Sequence, residues 1–134
     1  MKALTLSRVY TSLASLLLLV AVAHAAGAEG AIVVQNHYFP KPGLEQEVLK
    51  TRLKASEVRR ELGLEVGRVL LRTSAVDGHA YVVWECDYPS IEAREKDAAA
   101  AENAPTFRAV QEQMRPLIAR FDRVVWKVEA LPKK

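Results

Sequence analysis

From residue 31 onward the chain alternates between two kinds of apolar spacing. Ala31 to Phe39 (AIVVQNHYF) is rich in β-branched and aromatic residues and contains no Gly or Pro, which predicts a first strand. Pro40-Lys41-Pro42-Gly43 ends it. Leu44 to Leu62 carries apolar residues at 44, 48, 49, 53, 55, 58 and 62, the three-and-four spacing of one helical stripe. Glu45, Glu47, Lys50, Arg52, Lys54, Glu57, Arg59 and Arg60 then fall on its solvated side, and Gly63 stops the helix. Val66 to Thr73 and His79 to Tyr88 read as strands 2 and 3. Asp77-Gly78 between them signals an antiparallel hairpin. Ser90 can cap a second helical region from Ile91 to about Arg120, interrupted at Asn103-Ala104-Pro105 and kinked or shortened at Pro116. Asp122 to Ala130 completes the pattern as strand 4.

The order β-α-β-β-α-β predicts an α+β, ferredoxin-like domain: a four-stranded antiparallel sheet with two helical segments on one face. Alternation divides the strands into two rows. Ile32, Val34, Val69, Leu71, Val82, Trp84, Cys86, Val124, Trp126 and Val128 are nearly all apolar and are expected under the helices. The second row is mixed: Val33, Gln35, His37, Phe39, Arg68, Leu70, Arg72, Tyr81, Val83, Glu85, Asp87, Arg123, Val125 and Lys127. It is too apolar for a face left in water and too charged for a closed core. A second copy of the chain covering it, as a homodimer, accounts for both properties.

Residues 1–26 stand apart. Lys2 and Arg8 precede the apolar run Leu13–Val22, and Ala23-His24-Ala25 supplies small residues at −3 and −1. This is the order of a secretory signal peptide. It predicts cleavage near Ala25, a mature domain spanning 27–134, a secreted or periplasmic location, and no membrane association after cleavage. The whole chain has 134 residues, with 19 Lys plus Arg against 16 Asp plus Glu, a net +3. Without residues 1–26 the net charge falls to +1, which argues against a nucleic-acid module. Cys86 is the single cysteine, so an intrachain disulfide is excluded; its apolar surroundings read as a buried thiol.

The element order, Tyr38-Phe39-Pro40-Lys41-Pro42-Gly43 running into a charged amphipathic helix, and the break Asn103-Ala104-Pro105-Thr106-Phe107 together resemble the dimeric α/β-barrel superfamily and its NIPSNAP-type members. The resemblance covers nearly all of 31–128. It implies two sheets packed face to face as a homodimer. The superfamily includes cofactor-free monooxygenases, haem-degrading enzymes and muconolactone isomerases, and the fold alone does not choose among them.

Candidate chemistry lies on the mixed face. His37 can act as base or acid near neutral pH, with Tyr81 and Glu85 as catalytic partners. Arg72, Arg68 and Arg123 could bind an anionic ligand, since guanidinium forks match carboxylates. The competing assignment pairs these arginines with Glu85 and Asp87. No zinc, calcium or nucleotide motif occurs, so no metal or cofactor is expected. The sequence therefore supports two functions. One is binding of a small organic ligand in each subunit, extending to cofactor-free oxygenase or isomerase chemistry. The other is a non-catalytic interaction or structural homodimer.

Overall fold

The computed structural model describes residues 30–74 and 77–129. The signal-like segment 1–26, the boundary after it, and residues 75 and 76 of the expected turn lie outside the described residues. The elements are β1 (Ile32–Pro40), α1 (Glu45–Glu61), β2 (Arg68–Leu71), β3 (Val82–Tyr88), α2 (Ile91–Asn103), α3 (Pro105–Met114), a 3-10 turn at Arg115–Leu117 and β4 (Ile118–Lys127). The sheet order is β2-β3-β1-β4, antiparallel throughout. Each crossover steps over one strand, as the ferredoxin-like arrangement requires.

Local chemistry sets the boundaries. The Ser90 hydroxyl accepts the Ala93 N–H at 3.1 Å and caps α2. Ala104 is extended before Pro105, which begins α3 without needing a donor. Pro116 ends α3 in the 3-10 turn. Strand 4 therefore starts at Ile118 rather than Asp122 and pairs with β1 along its length, from Pro40↔Ile118 to Ile32↔Lys127.

The helices cover one sheet face. Ile32, Val34, Tyr38, Val82, Trp84, Cys86 and Tyr88 form the floor, against Val48 of α1 and Met114 of α3. Val48 and Val82 are fully buried, worth about 1.5–3 kcal/mol each. A second cluster, Ala55, Ala101, Phe107 and Val110, joins the three helices.

Two expected placements are corrected. In β4 the rows are reversed: Val34 pairs with Val125, Asn36 with Arg123 and Tyr38 with Phe121, so these β4 residues share the helix-side face. Val124 and Trp126 lie on the open face instead. Apolar character does not mark the covered row of this edge strand: the helix-side Phe121 and Val125 stay exposed, so the helices do not cover it. In α1, Arg52 and Arg59 are not solvated; both are only 4% exposed. They follow Val48 and Ala55 on the inward face at spacings of four, three and four.

Candidate functional site

A cavity of about 270 Å³ lies between the helices and the sheet. Val34 and Trp84 line its floor; Phe107, Val110 and Met114 of α3 line its helical side. Asn36 and Tyr38 of β1 and Arg123 of β4 bring polar atoms from the sheet, and Arg52, Arg59 and Asp97 bring charges from α1 and α2. The exposed helix-side edge of β4, with Phe121 and Arg123, leaves the cavity open on that flank.

The six polar side chains just named each make at least one hydrogen bond. Arg59 forms a buried ion pair with Asp97 and donates from Nε to the Glu65 carbonyl at 2.5 Å. Asp97 also accepts the Tyr88 hydroxyl at 2.7 Å and the Glu65 N–H at 3.0 Å. Burial, and then the bond to Asp97, push the Tyr88 phenol well above its ordinary pKa, so it stays a donor. Arg52 reaches the Tyr38 hydroxyl at 3.2 Å and Ser56 Oγ at 3.3 Å. The guanidinium carbons of Arg52 and Arg59 lie 5.4 and 5.1 Å from the Trp84 ring centroid, within cation–π range. Arg123 Nε donates to Asn36 Oδ1 at 2.8 Å.

The indole is held in turn by its N–H, which donates to the Val66 carbonyl at 2.6 Å. Gly67 makes this approach feasible: its φ is +66°, and a Cβ there would come within 2.7 Å of Trp84 Nε1 and 2.5 Å of the Glu85 carbonyl.

The open face carries a different arrangement. Arg68 of β2 pairs with Glu85 of β3, Gln35 Nε2 of β1 donates to Glu85 Oε2 at 2.5 Å, and Trp126 Nε1 of β4 donates to Gln35 Oε1 at 3.1 Å. His37 Nε2 lies 3.2 Å from the same Gln35 oxygen. The Gln35 hydrogen bond, and after it Arg68, hold the Glu85 carboxyl below its usual pKa. Glu85 is thereby favoured in its ionised form and is a weaker base than a free carboxylate.

The six sequence-derived candidates do not form one site. His37 and Arg72 border an open-face depression of about 310 Å³ with Ser74, His79, Ala80 and Val83, of which only Ala80 is buried. Arg72 donates to the His79 carbonyl at 2.9 Å. Glu85 and Arg68 are bound to each other. Tyr81 turns away, its hydroxyl accepting from Gln46 of α1 at 3.1 Å and its ring packing against the main core. Arg123 sits on the opposite face of the sheet, in the helix-side cavity. Cys86 is buried, and burial pushes its thiol up to about 11. Among the described residues no group of three or more His, Cys, Asp and Glu side chains could hold a metal ion.

No family model matches the chain, and no curated protein matches it. Solved structures do. A NIPSNAP domain protein from Burkholderia xenovorans is similar at 16% identity and a TM-score of 0.61, covering 77% of this chain and 99% of that one. A NIPSNAP family protein from Agrobacterium tumefaciens gives 18% and 0.60, covering 75% and 87%. A cofactor-independent oxygenase from Streptomyces nogalater gives 14% and 0.56, covering 79% and 100%. The fold is ferredoxin-like. Within it, the helix-side cavity gathers convergent polar groups over an apolar floor, and the sheet separates it from His37.

Proposed function

We propose that the protein is an exported homodimer that binds one small organic ligand per subunit in the helix-side cavity. One observation carries this reading: an apolar-floored space of about 270 Å³ lined by residues of three helices and three strands, Arg52, Tyr38, Asn36 and Arg123 among them, near the lower end of the usual ligand-pocket range. The dimer rests on the open face, where Leu70 is 43% and Trp126 54% exposed beside half-buried Val33, Phe39 and Val124. It is also supported by a Bacteroides fragilis neighbour described as a dimeric protein of ferredoxin-like fold. Export rests on the order of residues 1–26.

Ligand-observed NMR with a panel of small organic molecules tests the cavity, with the Trp84 indole as reporter. Binding is expected to survive His37→Ala and to be lost in Ala98→Phe, which fills the cavity from α2. The reverse pattern would move the site to the open face. Native mass spectrometry of the exported protein tests the rest. A dimer of subunits lacking residues 1–25 is expected, and a monomer at micromolar concentration overturns the dimer.

A second reading, cofactor-free oxygenase or isomerase turnover, is favoured by the arginine and tyrosine donors over an apolar floor, which suit a developing oxyanion. The carboxylate at hand as a proton acceptor in the cavity lining is Glu102, since Asp97 is held by Arg59, Tyr88 and the Glu65 N–H. Turnover that falls about 100-fold in Glu102→Gln with folding intact would support it.

A further inference from the structure

The charges lining the cavity do not cancel: Arg52, Arg59, Arg94, Arg115 and Arg123 stand against Asp97 and Glu102. Arg59 is neutralised by Asp97. Arg115, at the rim, pairs with Glu112. Arg52 has no carboxylate partner among the described residues, although it is 4% exposed. Its two terminal nitrogens meet only hydroxyls, those of Tyr38 and Ser56, and its buried Nε has no hydrogen-bond partner. A guanidinium taken out of water in this way is costly unless an anion completes it. Arg123, exposed on the cavity's open flank, approaches from β4 and donates to a neutral amide, Asn36. Asn36 and Tyr38 are alternate residues of β1 on the helix side, about 7 Å apart along the strand. Arg52 and Arg123 therefore flank one short row of polar atoms in the cavity.

Resting on the ligand-binding reading above, we infer that the ligand is a small organic carboxylate whose head is taken by Arg52, with Arg123 as the second cation. A single negative charge balances Arg52, and the planar guanidinium matches a carboxylate in shape as well as charge. Trp84, Phe107 and Val110 leave an apolar space for the body of the molecule, which fits an aromatic or branched acid better than an inorganic anion.

Matched acid and amide pairs separate the two claims: benzoate with benzamide, and phenylacetate with phenylacetamide, titrated into the full mature protein and followed by NMR. The acid of at least one pair is expected to bind at least ~10-fold more tightly than its amide, the usual reach of a charged hydrogen bond. In Arg52→Met that preference should collapse while amide affinity is kept, and Arg123→Gln should weaken the acid to a lesser degree. Equal binding of acid and amide to the unaltered protein overturns the carboxylate but leaves the cavity reading standing. Binding of no member of either pair overturns both. Should Arg52→Met not fold, Arg52→Lys retains a point charge without the fork, and an undiminished acid preference in it together with Arg123→Gln overturns the assignment to these arginines.

Discussion

The two faces of one sheet treat charge in opposite ways. On the open face the charged and amide groups close on one another: Arg68, Glu85, Gln35 and Trp126 run as a ladder from β2 to β4, one side chain from each strand. Every step is a neighbour in the sheet, so the ladder can fix strand register within the subunit. On the helix side the buried pair Arg59–Asp97 closes, while Arg52 has no carboxylate partner among the described residues. A closed charge network reads as architecture; a buried cation left open reads as a seat for something else.

The largest effect is expected from opening the closed pair on the helix side. Asp97 holds Arg59, Tyr88 and the Glu65 N–H together. Asp97→Ala leaves a buried guanidinium without its counter-charge and should destabilise by about 3–5 kcal/mol in urea unfolding. A loss below about 1 kcal/mol would show that Arg59 is already served by Glu65 and Trp84, and the contrast with Arg52 would lose its force. Next comes the support of the indole beneath both arginines. Gly67→Ala forces an L residue to φ +66° and drives a Cβ into Trp84 and the Glu85 carbonyl. Strain of this kind costs about 1–3 kcal/mol. Tryptophan fluorescence should report a displaced Trp84; a variant with unaltered stability and emission would show that the turn relaxes freely.

Much of this contrast was readable in the residues, and the exceptions have physical causes. Element order, the Ser90 cap and the Pro105 break follow from local chemistry, and the two rows of β1, β2 and β3 follow from alternation. The β4 rows could not be settled that way. Both rows of an edge strand are partly exposed here, and only pairing with β1 decides that Arg123 joins Asn36. His37 lies within β1 as its pattern predicts, and its hydrogen-bond neighbour, Gln35, belongs to the ladder. Arginine's general preference for a helix's wet side hides the inward placement of Arg52 and Arg59. A signal was present: Val48, Arg52, Ala55 and Arg59 recur at four, three and four residues, so the arginines extend the apolar stripe rather than oppose it.

The smallest effect should come from the open-face ladder, and its pH dependence has a definite sign. The Glu85 carboxyl is held below its ordinary pKa by Gln35 first and by Arg68 second. A carboxyl depressed in the folded state adds stability that is present above its unfolded value, near 4.3, and is lost as pH falls through the folded value. The unaltered protein should therefore lose stability more steeply than Glu85→Gln on acidification below about pH 5. The difference at neutral pH should stay within about 1 kcal/mol, because the Arg68 side chain is 64% exposed and water screens the pair. Dimerisation would bury that arginine and enlarge the difference, so the two proteins should diverge further as protein concentration is raised. Parallel acid-unfolding curves at every concentration would mean that the ladder contributes no stability through ionisation, and that the open face resembles the helix side more than the hydrogen bonds suggest.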